Sequence, residues 1–461
     1  MSYGARANAV SEAERAAEAA SAVTRPADVV MVKLRTTRPR EGATAAARGV
    51  AVASAAGVSL LSSLLSSGAV AEATPVFPAA KEPARGVART TMGAALGVDA
   101  VPAADTPVRR ARGLTTLRVT GGQSAVQLAR DLMADPAVEY AYVPAVKHPA
   151  AAAKRPASKS RRKKPSQGRV DPLFARQWSH AAVRIHEARK RAGFRDAADV
   201  LVAIVDSGVD RGHPDLKKSI DRYTNFLTPD EDDRDYQGHG THVAGIVAAG
   251  INNGVGIAGL CKARLAIFKA LPRRGGTWNA AAYYRALAKA SEVSARVLNL
   301  SLGGSFDPGE QDVILDLIDD GVVVVAAMGN EYEDGNPTSY PAAYDGVVAV
   351  GATDEVDRRA AFSCVGPHIS LVAPGERILS TVPRYPSELA ETTLYDSWPG
   401  TSMAAPHVAA AAALLLAKNP KSTPAQVRTK LQRSADRLKW QSSRPDDEYG
   451  WGRLNLARAL R

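Results

Sequence analysis

Three residues in the second half of the chain have the side chains of a nucleophilic relay: Asp206, His239 and Ser402. A serine hydroxyl is a weak nucleophile at neutral pH, so it needs an imidazole to accept its proton and a carboxylate to orient that imidazole. Each residue lies in a short stretch of small residues, VDSGVD, GHGTHVAG and GTSMAAPH. The set predicts acyl transfer at Ser402, with His239 as the base and Asp206 as its orienting partner.

Each of these residues also has a simpler interpretation when it is taken alone. Asp206 could cap a turn, and Ser402 could cap a helix. His239 and His242 have the i, i+3 spacing of metal ligands, but no Glu or Cys completes a set. We therefore predict one catalytic histidine and one hydrogen-bonded structural histidine. The joint occurrence of all three residues, in the order Asp, His, Ser, favours the relay.

The neighbouring sequence predicts how the three side chains meet. Val200–Val205 is a short apolar run, typical of a buried parallel strand, so Asp206 lies at the carboxyl end of a strand, where α/β sheets place their ligand crevices. Small apolar residues follow His239 and Ser402, which predicts that each begins a buried helix. The positive end of the helix dipole at Ser402 favours a developing oxyanion. Pro406 is expected to lie within the first turns of its helix or to bend it.

The three blocks and their order resemble those of the subtilisin-like serine peptidases over about residues 171–461. The resemblance implies a three-layer α/β fold with a mostly parallel central sheet, and a serine endopeptidase activity. It also implies that Asn330, with the backbone N–H of Ser402, stabilises the oxyanion. Asn330 taken alone is a turn-forming residue after a glycine.

The same resemblance implies where a peptide substrate binds. An extended substrate would lie beside the crevice as an added strand. Glu331, near the mouth of the first specificity pocket, either attracts a basic substrate side chain or is a solvated loop charge, and the sequence leaves both open. The expected pocket walls are Ser301, Leu302, Gly303 and Gly304 on one side and Gly329 on the other.

Two further segments, 210–215 and 251–257, resemble those that build a calcium site in many subtilases. Calcium prefers carboxylate and carbonyl oxygens. The other interpretation of the second segment is an Asn-Gly turn without a metal. No organic cofactor is expected. The residues that the resemblance implies as calcium ligands are Asp215, Asn253, the carbonyls of Val255 and Ile257, and Gln177.

The positive charge of the chain is concentrated at its front. The formal net charge is +12, but residues 1–170 hold 25 Lys and Arg against 12 Asp and Glu, whereas residues 171–461 hold 34 against 35. The run 154–169 has eight basic residues and no acidic one, which predicts an exposed linker suited to proteolytic cutting. It lacks aromatic residues for stacking on bases, which argues against a nucleic-acid partner. A protease tethered to nucleic acid by an uncut linker is the alternative.

Before the linker, the pattern of strands and helices resembles the inhibitor-type propeptide of subtilases. Strands are predicted at 28–35, 114–120 and 138–143, with helices at 50–66 and 124–134. The resemblance implies a precursor inhibited by its own propeptide; a regulatory domain that is never removed is the alternative. The predicted organisation is a disordered extension at 1–25, a propeptide-like domain at 26–147, the linker and processing region at 148–170, and the peptidase domain at 171–461.

The remaining sequence features concern cellular location, membrane contact, the two cysteines and the oligomeric state. The first 25 residues contain no apolar leader, so we expect either an intracellular location or export by a non-classical route. The apolar stretch 50–70 contains six serines and is expected to be a propeptide helix, with no membrane partner. Cys261 and Cys364 are expected to be buried thiols. We expect a monomer acting on proteins or peptides; a non-catalytic binding protein on the same fold is the alternative.

Overall fold

The structure, a computed structural model of the chain, describes most of the residues after position 27. The expected extension at 1–25 and the basic run 154–169 lie outside the described residues, as does most of 78–112. The described residues are 28–37, 52–53, 55–77, 109–111, 113–120, 124–150, 171–227, 232–274, 276 and 278–461.

The chain divides into two compact units. The first contains the front of the chain up to Val146, together with Ala280–Ala288 and Ser305–Asp316. The second contains Lys147–Asn279, Lys289–Gly304 and Leu317–Arg461, and it holds every residue predicted to act in catalysis.

The first unit is built on a four-stranded antiparallel sheet in the order β4-β5-β1-β6. Alternate apolar residues of the strands pack with the helices around Val32, Leu61, Leu117 and Leu128. Strand β4 was not anticipated from the sequence, because its VAEATP segment consists mainly of small residues without a regular apolar alternation and has one buried residue. The elements are β1 (Val29–Leu34), β2 (Thr36–Thr37), β3 (Val52–Ala53), α1 (Ala55–Ser66), β4 (Val70–Pro75), β5 (Leu114–Val119), α2 (Ala125–Met133) and β6 (Val138–Tyr142).

Within this unit, the open face of the sheet contacts acidic residues of the segment 305–316. Lys33 Nζ lies 2.7 Å from Asp312 Oδ2, and the hydroxyl of Tyr140 donates to the same oxygen over 2.8 Å. The hydroxyl of Tyr142 donates to Asp307 over 2.8 Å. Lys33 is almost fully buried, so its ion pair is shielded from solvent. The front of the chain is thus held by specific polar contacts to these residues.

The second unit is an α/β layer structure around a seven-stranded parallel sheet in the order β15-β14-β13-β11-β8-β10-β9. The predicted fold class is confirmed. The strands are β8 (Leu201–Asp206), β9 (Ile220–Asn225), β10 (Arg264–Lys269), β11 (Val297–Leu300), β13 (Val323–Ala327), β14 (Val348–Thr353) and β15 (Leu371–Pro374). Two-stranded pairs are formed by β7 (His148–Pro149) with β12 (Leu302–Gly303), and by β16 (Ile378–Val382) with β17 (Leu394–Trp398).

Strand order reverses beside β8, which has β10 on one side and β11 on the other. Ligand crevices form at such switch points, outside the carboxyl ends of the strands. Three predicted site segments follow these ends: Asp206 closes β8, Ser301 follows β11, and Gly329 comes shortly after β13. Parallel strands therefore deliver residues distant in sequence to one edge of the sheet.

Most of α6 (Ala280–Glu292) and of α7 (Pro308–Asp319) belongs to the first unit, and the other helices that follow α2 belong to the second unit. Among the described residues one helix, α8, has the length and apolar composition of a membrane span, but 94% of it is buried within the protein. It packs on the sheet and on α5, so its composition is that of a core helix. The helices are α3 (Trp178–Ala182), α4 (Ile185–Arg189), α5 (His239–Ala248), α6 (Ala280–Glu292), α7 (Pro308–Asp319), α8 (Thr401–Lys418), α9 (Pro424–Ser434) and α10 (Leu456–Ala459), with a 3-10 turn at Phe174–Arg176.

Candidate active site

Asp206 and His239 form a buried hydrogen-bonded pair. The Nδ1 atom of His239 lies 2.8 Å from Asp206 Oδ1, and neither side chain is accessible to solvent. The carboxylate must be the acceptor, so Nδ1 carries the proton and Nε2 is left as the acceptor in the neutral imidazole. Among the described residues, the buried Nε2 atom has no hydrogen-bond partner. The ring is therefore held in the tautomer that a general base requires.

A second carboxylate, Asp235, fixes the start of helix α5, on which His239 lies. Asp235 accepts hydrogen bonds from the backbone N–H groups of Gly238 and Thr241, and from the hydroxyl of Ser207. These bonds satisfy N–H groups that a helix leaves unpaired at its start. Burial raises the pKa of Asp235. Gly240 lets the helix approach the sheet, because a Cβ there would lie 2.1 Å from the carbonyl oxygen of Gly208.

His242 has a structural role, as the sequence predicted. Its ring stacks on Trp398 with centroids 4.6 Å apart, and its Nε2–H donates to the carbonyl of Asp396 over 3.2 Å. Burial lowers its pKa to about 3, and the neighbouring His239 contributes to the same shift. His242 is thus neutral and packed in the core of the unit, while His239 faces the site.

Ser402 lies in the first turn of helix α8, where the sequence placed it. Its hydroxyl donates to the carbonyl of Ser301 over 2.8 Å, and the hydroxyl of Ser301 donates to the carbonyl of Ser402 over 2.8 Å. That carbonyl is available because Pro406, four residues later, has no N–H to donate to it. The proline thus lies in the helix as expected, and its missing donor is replaced by Ser301. The structure shows no hydrogen bond between Ser402 and His239.

Asn330 is oriented from the start of helix α8. Its Oδ1 accepts from the N–H of Thr401 over 2.9 Å and from the hydroxyl of Thr401 over 3.0 Å. Because the oxygen is engaged in this way, the amide nitrogen must point in the other direction. Among the described residues this Nδ2 is buried without a partner. A buried unpaired donor beside a nucleophile can receive an oxyanion.

The segment 147–150 lies against these residues as a short strand. In the antiparallel β7–β12 pair, Pro149 faces Leu302 and His148 faces Gly303. The N–H of Ala150 donates to the carbonyl of Ser301 over 3.2 Å. The N–H of Ser402 donates to the carbonyl of Ala150 over 3.1 Å. The chain thus places one of its own carbonyl groups against the nucleophile.

The predicted walls of the first specificity pocket converge on Ser339. A Cβ built on Gly303 would lie 2.3 Å from Ser339 Oγ, and one built on Gly329 would lie 3.2 Å from Ser339 Cβ. Leu302 belongs to the strand that pairs with Pro149, and Gly304 bridges to Tyr340. Ser339 therefore lies between the two predicted walls, a contact that was not anticipated from the sequence. The Ser301 hydroxyl donates to the carbonyl of Ser402 at the start of helix α8, and the Ser301 carbonyl accepts from the N–H of Ala150.

Glu331 folds back on its own loop. Its Oε2 accepts from the N–H of Asn330 over 2.7 Å and lies 3.7 Å from the sulfur of Cys364. Burial raises the pKa of Cys364 to about 12, with the charge of Glu331 contributing, so this thiol stays protonated. Cys261 and Cys364 are both free and buried, as predicted.

The residues implied as calcium ligands surround Asp215. Asn253 Nδ2 lies 2.7 Å from Asp215 Oδ1, and the N–H of Ile257 donates to Oδ2 over 3.0 Å. The N–H of Val255 donates to Asn253 Oδ1 over 2.7 Å. Gln177 bonds to the N–H and the carbonyl of Ala258 instead of reaching Asp215.

A second buried carboxylate, Asp171, lies near Asp215 and was not anticipated from the sequence. It accepts from the N–H groups of Asn252, Asn253 and Gly254. Burial raises the pKa of Asp215 to about 6, and the charge of Asp171 contributes to that shift. Two neighbouring buried carboxylates and an amide side chain are a donor set that a hard divalent cation fits. In this structure the Asp215 carboxylate is satisfied by the N–H groups of Asn253 and Ile257 and by the hydroxyl of Tyr395.

Comparison with known proteins places the chain in one family. The model of the Subtilase family matches residues 197–452. Thermitase from Thermoactinomyces vulgaris is 36% identical over 295 residues, which cover 63% of this chain and 98% of thermitase. Subtilisin DY from Bacillus licheniformis is 39% identical over 270 residues, which cover 57% of this chain and 91% of that protein.

Solved structures agree on the fold. Fervidolysin from Fervidobacterium pennivorans superposes with a TM-score of 0.68 at 23% identity, covering 95% of this chain and 61% of fervidolysin. A protease from Pseudoalteromonas arctica superposes with a TM-score of 0.56 at 28% identity, covering 63% of this chain and 98% of that protease. The chain belongs to the subtilase family and is a serine-type endopeptidase.

Proposed function

We propose that this endopeptidase cleaves peptide bonds through Asp206, His239 and Ser402 and that it is made as a self-inhibited precursor. The observation that carries the first part is the 2.8 Å contact between His239 Nδ1 and Asp206, which leaves Nε2 as the proton acceptor. The second part rests on the contact between the N–H of Ser402 and the carbonyl of Ala150.

In the proposed mechanism the Ser402 hydroxyl leaves Ser301 and transfers its proton to His239 Nε2 as its oxygen attacks the substrate carbonyl. His239 then gives this proton to the departing amine. Asp206 stays ionised and stabilises the imidazolium. A water molecule, activated by His239, hydrolyses the acyl-serine ester and regenerates the hydroxyl.

The negative oxygen of the tetrahedral intermediate is held by two donors, the N–H of Ser402 and the Nδ2 of Asn330. The first already bonds to the carbonyl of Ala150 over 3.1 Å. The second is buried and is aimed by the two hydrogen bonds from Thr401 to Oδ1. Both are fixed before the reaction begins, so they stabilise the developing charge without reorganising.

A fluorophosphonate probe tests the proposed nucleophile, because only an activated serine is phosphonylated. We expect the purified active protein to carry one probe on the peptide that contains Ser402, as located by mass spectrometry. Labelling at another serine, with Ser402 unmodified in a hydrolytically active sample, would refute the assignment.

Replacing Asn330 by alanine is expected to lower kcat about 10²–10³-fold, the range found when the equivalent donor is removed from subtilisin. KM should change little, because the donor acts on charge that is present only in the transition state. Steady-state kinetics on a peptide substrate will measure both constants. Thr401→Val, which keeps Asn330 but removes one bond that orients it, should lower kcat less.

A loss confined to KM in the Asn330→Ala variant would contradict the oxyanion role. Circular dichroism and thermal unfolding of both variants provide the control for folding. Thr401 is a positioning residue in this account, so its effect should depend on the presence of Asn330. The Asn330→Ala,Thr401→Val double variant should therefore lose little more activity than Asn330→Ala alone.

Self-inhibition requires a folded domain and a segment that blocks the substrate position, and the front of the chain provides both. Its sheet is an independent layer with its own apolar core, held to the segment 305–316 by the contacts of Lys33, Tyr140 and Tyr142. Its continuation, the segment 147–150, occupies the substrate strand position beside β12. A protein substrate would have to displace this segment to reach Ser402.

We also propose that subtilase-type structural calcium binds at Asp171 and Asp215, with the side chain of Asn253 and the carbonyls of Val255 and Ile257 as the other ligands. The support is the pair of buried carboxylates whose mutual repulsion helps to raise the pKa of Asp215. Calcium would neutralise this charge and tie the segment around Asp171 to the 250–257 loop. It takes no part in the chemical steps above.

Removal of calcium is expected to lower the melting temperature by about 5 °C. Saturation at about 100 times Kd contributes about 2.7 kcal/mol, and a domain of this size shifts by about 2 °C per kcal/mol. Differential scanning calorimetry of the Ser402→Ala protein, with EDTA and then with excess calcium, avoids self-digestion. An Asp215→Asn variant should lose the response to calcium. An equal response in that variant would place the ion elsewhere.

A further inference from the structure

The contact between Ala150 and Ser402 identifies one peptide group as the one aligned for attack. The carbonyl of Ala150 accepts from the N–H of Ser402 over 3.1 Å, and the N–H of Ala150 donates to Ser301 over 3.2 Å. A substrate carbonyl at one of the two oxyanion donors is in the position of the scissile bond. Further from Ser402, Pro149 and His148 pair with β12 in the same strand register.

The residue whose carbonyl meets the N–H of Ser402 has a small side chain, and it is buried. Ser339 is buried and lies within contact distance of both glycine walls, Gly303 and Gly329. The methyl group of Ala150 is itself buried, with 3% of the residue exposed. A long or aromatic side chain at this position would have to displace Ser339 from between two backbone segments, which a close-packed interior resists.

Three residues before Ala150, Lys147 is bound in a second recess. Only 3% of the residue is exposed, and its ammonium group donates to the carbonyl of Tyr340 over 3.2 Å. The acceptor is a backbone carbonyl whose position is fixed, because the N–H of Tyr340 donates to the carbonyl of Gly304 over 2.9 Å. A buried ammonium must be hydrogen-bonded to be tolerated, so a site that provides the acceptor selects for a basic residue.

We propose that the enzyme cuts its own chain between Ala150 and Ala151, and that it prefers substrates with alanine immediately before the cleaved bond and lysine four residues before it. The inference rests on the proposed catalytic function and adds the bond and the recognition sequence Lys-X-Pro-Ala. It moves the cut upstream of the basic run 154–169, where the sequence pattern had suggested it.

The two subsites explain why the basic run itself is not the cleavage site. Seven of the positions in 154–164 are lysine or arginine. Cleavage after any of them would place a long cationic side chain in the pocket that Ser339 closes. The carboxylate of Glu331 does not make this pocket suitable for a basic side chain, because it accepts a hydrogen bond from the N–H of Asn330. Lysine is accepted in the recess of Tyr340 and excluded from the pocket of Ser339.

The cleavage is a hydrolysis and uses only the proposed machinery and water. Ser402 Oγ bonds to the carbonyl carbon of Ala150 while its proton passes to His239. The bond from that carbon to the nitrogen of Ala151 breaks, and the nitrogen takes the proton and becomes a free amino terminus. Water then splits the ester, which leaves a carboxylate on Ala150 and restores the Ser402 hydroxyl.

The position of the cut can be read directly from the full-length chain. After expression and self-processing, amino-terminal sequencing should find Ala151 as the first residue of the enzyme, and intact mass should find a fragment that ends at Ala150. Later trimming of the basic run would remove that terminus, so the fragment ending at Ala150 is the decisive product. A fragment that ends at a lysine or arginine between 154 and 164 would overturn the proposal.

Two matched variants separate the pocket from the basic run. Ala150→Phe should slow processing at least about 10-fold, or move it to another bond, because phenylalanine does not fit beside Ser339. Replacing Arg161, Arg162, Lys163 and Lys164 together by glutamine should leave the rate and the fragment ending at Ala150 unchanged. The opposite pattern would show that the basic run is the site that is cut.

Peptide substrates test the recognition sequence without depending on how a variant precursor folds. The active enzyme should cleave a peptide containing Lys-His-Pro-Ala-Ala-Ala after the first alanine. Replacing its lysine by norleucine, which keeps the four-carbon side chain but removes the ammonium group, should lower kcat/KM about 10-fold or more. Replacing its first alanine by phenylalanine should have an effect at least as large. Equal rates for all three peptides would overturn the proposed specificity.

These experiments can fail separately from the proposed function. If fluorophosphonate labels Ser402 and a general protein substrate is digested, but the chain is cut elsewhere, then the catalytic proposal stands and this inference is wrong. If Ser402 is not labelled, the catalytic proposal itself is wrong. The Ser402→Ala chain provides the uncut reference for both measurements.

Discussion

Replacing Ser402 by alanine is expected to lower kcat for peptide hydrolysis by about 10⁶-fold and to leave the precursor uncut. The Ser402 hydroxyl is the group that forms the acyl bond with the substrate, so its removal eliminates the covalent pathway. The hydrogen bond to the carbonyl of Ser301 is lost as well, but Ser301 Oγ still donates to the carbonyl of residue 402. The helix terminus should therefore keep its position.

The measurements are the rate of peptide hydrolysis, fluorophosphonate labelling and the size of the purified chain. Ser434→Ala is the matched control, because its buried hydroxyl donates to the carbonyl of Leu431 on a helix remote from the triad in sequence. That control should mature and hydrolyse peptides normally. Self-processing of the isolated Ser402→Ala chain at the normal rate would disprove the assigned nucleophile.

Asp206→Asn is expected to lower kcat about 10⁴-fold with little change in the fold. The amide has nearly the shape of the carboxylate, but it can donate a hydrogen bond to His239 Nδ1. That bond favours the tautomer with its proton on Nε2, which cannot accept the proton of Ser402. The charge that stabilises the imidazolium is lost at the same time. Both effects act at the 2.8 Å contact seen between the two side chains.

Asp199→Asn is the control for this variant, because the Asp199 carboxylate is exposed and pairs with Arg195 on the surface. Stopped-flow or burst kinetics with an activated ester should show slow acylation for Asp206→Asn and normal acylation for Asp199→Asn. A normal acylation rate in Asp206→Asn, with His239 intact, would mean that another group orients the imidazole.

Residues with a local signature were found from the sequence alone. The apolar run before Asp206 predicted a buried strand, and β8 ends at that residue. The small apolar residues after His239 and Ser402 predicted two buried helices, and both begin at or beside these residues. Such features are readable because strand and helix periodicity, and the chemistry of a nucleophile and its base, are expressed within a few neighbouring residues.

Residues that act through contacts distant in sequence were missed. Asp171 and Asp235 are separate acidic residues in polar loops, and nothing near them predicts that their carboxylates cap the 252–254 loop and helix α5. Ser339 lies ten residues after Gly329 in an irregular segment, so its contact with both pocket walls is not visible in the sequence. Strand β4 was missed because its pairing with β5 stabilises a segment with little apolar alternation.

The sequence by itself determined the fold class, the family, and the three residues proposed as a relay, since each depends on local patterns and on their order. The tertiary structure decided that the N–H of Ser402 meets the carbonyl of Ala150, that Gly303 and Gly329 both approach Ser339, and that Lys147 is buried. Those properties arise where the carboxyl ends of the parallel strands β8, β11 and β13 meet at one edge of the sheet. The distances between the residues there depend on packing between segments that are far apart in the chain. The basic run is conspicuous in the sequence, but it is the short strand before it that the site holds.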